Sequence, residues 1–199
     1  MNRQLQLIKE QNMFSKKSPK LGVQLLVVLA MLIAIRYILG QYFSFWLIPQ
    51  TLKVSLSFIA NTLIGMLAGP WIAIIVFVVN DVLTALNSGY PFIIWFTLLE
   101  AVQGFLYGYF YYGKTIDIHC KKDWLYVLVA TAVIMGIGTF FLTPILNQIY
   151  QHVPVAVQFF AQGRIFKILE IPFRVVVTML LLPQLQRIPE VCKLMGIKK

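Results

Sequence analysis

Long apolar runs separated by short polar breaks dominate the chain. Leu21 to Leu39 carries no charge until Arg36 and stops at Gly40, enough for a helix of about 20 residues to cross a bilayer. Val54 to Ala68 is a shorter run closed by Gly69-Pro70, a pair that ends one helix and opens the next at its first turn. Trp71 to Leu86 predicts a third span, turned back at Asn87-Ser88-Gly89-Tyr90-Pro91 into a fourth from Phe92 to Tyr112. Trp124 to Leu146 and Gln158 to Leu182 predict the fifth and sixth, with Pro183 and Pro189 breaking the helix beyond. The connection Gln41 to Lys53, with Trp46, Pro49 and Gln50, reads as an irregular outer loop with an interfacial aromatic patch. Asn147 to Val157 reads as a polar outer loop, and Gly113 to Asp123 is the strongly charged internal connection.

Composition agrees with this pattern. With 59% hydrophobic and 12% charged residues among 199, a water-soluble globule is excluded. The expected fold is an all-α integral membrane protein of six transmembrane helices, with no room for a separate soluble domain. It divides into a basic tail over 1–20, a membrane domain over 21–183 and a second basic tail over 184–199. Twelve of the seventeen Lys and Arg fall in the two tails and the central loop, so both termini are expected in the cytoplasm. That retention signal accounts for the net charge of +10 without nucleic acid as a partner. Cys120 and Cys192 then lie on the reducing side, and the polar first twenty residues do not form a signal peptide. The chain contains no phosphate-binding Gly-Lys loop, no zinc-binding His pair and no readable nucleophile triad, so neither ATP hydrolysis nor a metal or other cofactor is expected.

The few cations outside the cytoplasmic segments carry the functional signal. Arg36, Lys53, Arg164 and Lys167 stand at span ends assigned to the outer side, which suggests an anionic ligand. Arg164, Lys167, Glu170 and Arg174 share one helical face, and each charge at membrane depth costs roughly 2.5–3.5 kcal/mol unless it meets protein, water or ligand. An internal Glu170–Arg174 pair with Arg164 and Lys167 reaching toward headgroups is the structural alternative. Asp81 and Glu100 are either ion-paired or accept hydrogen bonds from an amino-pyrimidine type edge. Tyr90, Trp95 and neighbouring aromatics could stack on a flat heterocycle or form an interfacial belt. Ala30 and Ala34 on the first span, and Gly104 and Gly108 on the fourth, are small-residue pairs that allow close helix approach, within the chain or toward a partner.

These residues resemble the substrate-binding S components of energy-coupling factor vitamin transporters. Leu52-Lys53-Val54-Ser55-Leu56-Ser57-Phe58 continuing to Gly65-Met66-Leu67-Ala68-Gly69-Pro70-Trp71, and Asn80-Asp81-Val82-Leu83-Thr84-Ala85, are similar to the folate-specific branch. So are Gly89-Tyr90-Pro91-Phe92, Gly104-Phe105-Leu106-Tyr107-Gly108 and Arg164-Ile165-Phe166-Lys167. Glu100 departs from the small or hydroxyl residue expected in that pattern. The resemblance implies a multi-pass protein of the bacterial cell membrane, surrounded by lipid, that captures folate from outside. Its partners would be a transmembrane coupling subunit and two ATPase subunits. Arg36, Lys53, Asp81, Tyr90, Trp95, Glu100, Arg164 and Lys167 are the expected ligand contacts, and Ala30 and Ala34 the expected docking surface. An S component for a pyridoxine or hydroxymethylpyrimidine type of compound is the alternative. A membrane-embedded enzyme acting on an anionic headgroup, with Glu170 or Asp81 as base, is a third possibility.

Overall fold

The computed structural model describes residues 19, 21–48, 52–88, 92–161 and 163–195. Helix α1 (Val23–Gln41) buries Leu25, Leu29, Leu32 and Arg36, positions that recur every three or four residues and form one inward stripe. Its other side exposes Leu26, Val27, Met31 and Ile35 together with Ala30 and Ala34, the apolar outer surface of a helix made for lipid. Beyond it, β1 (Ser44–Ile48) and β2 (Leu52–Ser55) form an antiparallel hairpin with Ser44 opposite Ser55 and a bulge between Trp46 and Ile48. The irregular loop expected here is therefore a two-stranded ribbon added to an otherwise helical body. Phe45, Trp46, Ile48 and Val54 favour extended backbone, and pairing satisfies peptide groups that a loose loop would leave bare.

Helix α2 (Ser57–Ser88) is interrupted at Gly69, where φ is 69° and ψ is 177°. Were it straight, Ser57 and Thr84 would stand about 40 Å apart at 1.5 Å per residue. Both line one cavity together with Arg36 and Gly40 of α1, so the chain doubles back at Gly69-Pro70 as the sequence predicts. Positive φ is open to Gly without steric cost, and Pro70 fits the first turn of the returning leg. Helix α3 (Ile94–Tyr111) presses into this turn. A Cβ on Gly108 would lie 2.5 Å from the Gly69 carbonyl carbon, and one on Gly104 would lie 2.8 Å from Ala73 O. The small pair on α3 thus packs within the chain.

The second half departs from simple spans. Helix α4 (Lys121–Met135) continues through a π-helical stretch (Gly136–Leu142) into α5 (Thr143–Gln151), past the expected end at Leu146. Polar residues of the predicted loop are used inward: buried Gln158 donates to Pro144 O at 3.0 Å and Val153 O at 2.9 Å, and accepts from Asn147 at 3.4 Å. The predicted sixth span is divided into α6 (Val155–Phe160), a 3₁₀ stretch (Arg164–Leu169) and α7 (Glu170–Leu185), separated by a left-handed Gly163. Pro183 is absorbed into α7, and Pro189 opens a short α8 (Pro189–Leu194). Among the described residues, Val23–Gln41, Ser57–Asn87 and Lys121–Gln151 are long and apolar enough to cross a membrane by length and composition. Leu29, Ile64, Phe77, Tyr111, Val127 and Met179 belong to the shared core. Gln186 ties the far end: it accepts from the Ile116 amide at 2.9 Å and donates to Lys114 O at 2.8 Å.

The turn generates a stability prediction. Gly108→Ala must force the backbones of α2 and α3 apart and should destabilise by about 1–3 kcal/mol or more, read as a lowered thermal midpoint in detergent. Gly136→Ala, whose new Cβ meets nothing within 4 Å, should hold or raise that midpoint. Equal midpoints for the two variants would contradict this packing.

Candidate ligand-binding site

A cavity of about 230 Å³ lies where the end of α1 meets both legs of α2 and the start of α3. Its wall includes Arg36, whose Nη2 donates to Glu100 Oε2 at 2.5 Å; the two side chains are 9% and 23% exposed. The guanidinium carbon also sits 4.1 Å from the ring centroid of Phe77, so the cation is held between an anion and an aromatic face. Next to it, Thr97 donates its hydroxyl to Asp81 Oδ2 at 2.7 Å. Asn80 is buried with Oδ1 lacking a protein partner, as does Nη1 of Arg36. Asp81, Glu100 and Asn80 therefore supply acceptors beside a guanidinium. That set suits a flat ring carrying N–H donors on one edge and an acceptor nearby.

The hairpin rises from the rim of this cavity, because Gln41 before it and Ser57 after it both line the wall. Ser55 fastens its base, donating to Leu39 O at 3.2 Å and accepting from the Ser57 amide at 3.1 Å. A second polar cluster lies across the core. Arg174 donates from Nη2 and Nε to Glu170 Oε1, at 2.6 and 2.8 Å, and from Nη1 to the Tyr107 hydroxyl at 3.4 Å. Tyr107 in turn packs on Phe77 with centroids 5.8 Å apart, which joins the two ion pairs through a pair of rings.

Sequence reasoning expected Arg36, Arg164 and Lys167 to converge on one anion. The structure brings Arg36, Asp81 and Glu100 together, and sets Arg164 and Lys167 on the 3₁₀ edge that leads to Glu170. Residues three apart eclipse in a 3₁₀ helix, so the charged stripe persists although the α-helix expected there does not. Arg164 donates to Thr139 O at 3.1 Å. Glu170 and Arg174 form the internal pair that was the structural alternative. Trp95 is half exposed on the first turn of α3 and outside the cavity wall, and Lys53 lies in β2 opposite Trp46. Tyr90 lies outside the described residues. Ser57, Asn80 and Thr84 of the wall escaped sequence reasoning, although the four-residue spacing of Asn80 and Thr84 beside Asp81 was a readable signal. No group of three His, Cys, Asp or Glu among the described residues could hold a metal.

The family model described as the ECF-type riboflavin transporter, S component, matches residues 20–187. The chain belongs to the S components of ECF-type transporters. This S component is a transport protein, and the enzyme reading falls away. It is 54% identical over 183 residues to the folate transporter FolT of Streptococcus mutans serotype c (strain ATCC 700610 / UA159), spanning 92% of this chain and 97% of that one. Its fold matches a crystal structure of FolT bound with folic acid, with a TM-score of 0.71 and 28% identity over 82% of this chain and 95% of the other. Resemblance to the folate-specific branch, drawn from the motifs alone, agrees with both.

Glu100→Ala leaves the Arg36 guanidinium buried without its anion. The S component should lose stability toward the lower end of about 3–5 kcal/mol, because Glu100 keeps some solvent contact. Removing both charges with Arg36→Met and Glu100→Leu should recover most of that loss. Unfolding in detergent reads both, and a double variant as unstable as Glu100→Ala would contradict the pairing.

Proposed function

We propose that this S component captures folate at the outer face of the bacterial cell membrane and delivers it with a transmembrane coupling subunit and two ATPase subunits. The observation that carries the reading is the near full-length 54% identity to a folate transporter. The cavity chemistry supports it. Asp81, Glu100 and Asn80 suit the amino-pyrimidine edge of a pterin. Outside the cavity wall, Trp95 offers a ring for stacking, the sequence motif suggests Tyr90 as a second, and Lys53, Arg164 and Lys167 suit the two carboxylates of the glutamate tail.

In this reading the membrane domain over 21–183 crosses six times. The crossings are α1, the two legs of α2, α3, the α4-to-α5 run and the segment ending in α7, with the basic tails over 1–20 and 184–199 in the cytoplasm. Twelve of the seventeen Lys and Arg then lie on one side, as the positive-inside rule requires. The segment from Gln41 to Lys53, whose strand β1 pairs with β2 beside the cavity rim, acts as the lid over bound ligand. Ala30 and Ala34, exposed on α1, form the docking surface for the coupling subunit.

Equilibrium binding to the purified S component is the test. Folate should bind with higher affinity than riboflavin, pyridoxine or hydroxymethylpyrimidine, and preferential binding of any of those three would replace this reading. Arg164→Ala should weaken folate about tenfold or more, the equivalent of 1.4 kcal/mol. Replacing Ala30 and Ala34 together by Trp should abolish uptake by the assembled transporter and leave folate binding to the isolated subunit intact. Normal uptake by that double variant would remove α1 from the docking surface.

A further inference from the structure

The π-helical stretch takes from the Thr139 carbonyl its α-helical donor. In α-geometry Thr139 O would accept from the amide of Thr143, four residues on. That amide bonds to Gly138 O instead, the five-residue spacing of a π-turn. The Thr143 hydroxyl donates to the same oxygen at 2.7 Å and so reinforces the register. With that spacing the donor for Thr139 O would come from residue 144, and residue 144 is Pro, which has no N–H. Register and proline together orphan the Thr139 carbonyl, and an unpaired carbonyl at membrane depth is costly. Arg164 Nη1 answers it at 3.1 Å.

We infer that Pro144 is a positioning residue for ligand capture: by withholding an amide, it keeps Thr139 O free to hold the Arg164 guanidinium. The inference rests on the folate reading, in which Arg164 meets the glutamate tail. One N–H of Nη1 is spent on Thr139 O, and the fixed fork of the guanidinium then aims its other donors as a rigid unit. A carboxylate bound by two parallel N–H groups needs that orientation. The bland role of Pro144, a residue suited to the first turn of α5, calls for no particular effect on one part of one ligand.

Pro144→Ala restores the competing amide in a helix-favouring residue, and Pro144→Val does so while keeping side-chain bulk. Affinities for folate and for pteroate, which lacks the glutamate, distinguish the two roles. Both variants should bind folate roughly fivefold more weakly, bind pteroate as the wild type does, and add no further loss in an Arg164→Ala background. Equal losses for the two ligands, losses that add to those of Arg164→Ala, or unchanged folate affinity would overturn the inference. Solvent exchange of the Arg164 side-chain N–H protons, measured by NMR without ligand and assigned with Arg164→Lys, should be faster in both variants. Unchanged exchange would overturn it whatever the ligand proves to be, whereas a wild type that does not bind folate would sink the folate reading alone.

Discussion

A guanidinium at membrane depth is tolerable only where its charge is met, and in this protein Glu100 of α3 meets Arg36 of α1. The pair spans 64 residues of sequence and joins the first helix to the fourth leg of the chain. It also decides where a polar cavity can exist. Ligand and protein must share that small volume with a charge already neutralised, so a bound heterocycle can exploit the acceptors of Asp81, Glu100 and Asn80 without facing a bare cation. The Phe77 ring beneath Arg36 continues the support inward to Tyr107 and the second pair, Arg174 with Glu170. Pairing, rather than the number of apolar residues, separates this interior from that of an inert helix bundle.

The cavity depends equally on backbone contact. Gly69 turns the chain between the legs of α2, and Gly104 and Gly108 let α3 lie against that turn at distances a side chain would forbid. In lipid, where apolar attraction between helices is weak, such close approach is a main source of cohesion. The same small-residue logic divides by location: the glycines are buried within the chain, while Ala30 and Ala34 remain on its outer surface.

Much of this was legible in the sequence because a membrane imposes strong patterns. The first four apolar runs correspond to α1, the two legs of α2 and α3, although the second run starts inside β2, and Gly69-Pro70 marked its turn by dihedral demand alone. The irregular parts were hidden for physical reasons. The pairing of β1 with β2 is held by cross-strand hydrogen bonds between peptide groups, which no short-range pattern in the sequence announces. Gly136, Gly138 and Pro144 marked the fifth run as irregular without specifying a π-register, and the three-residue charge spacing from Arg164 suits a 3₁₀ or an α-helix equally. The candidate site was half legible. Charged residues stood out against apolar surroundings, and three of those singled out, Arg36, Asp81 and Glu100, line the cavity. Ser57, Asn80 and Thr84 are neutral polar residues that become wall only after the chain folds back, and partner choice among Arg36, Glu100, Glu170 and Arg174 required three dimensions.

The central proposal is that this polar cavity holds folate. Its most direct test is the small molecule released when the S component is purified from cells grown with mixed vitamins and then denatured. Mass spectrometry should find folate at close to one molecule per chain from the wild type, and little from a folded variant in which Asn80 and Asp81 are both replaced by Leu. Another vitamin at that stoichiometry, or folate retained undiminished by the double variant, would contradict the account.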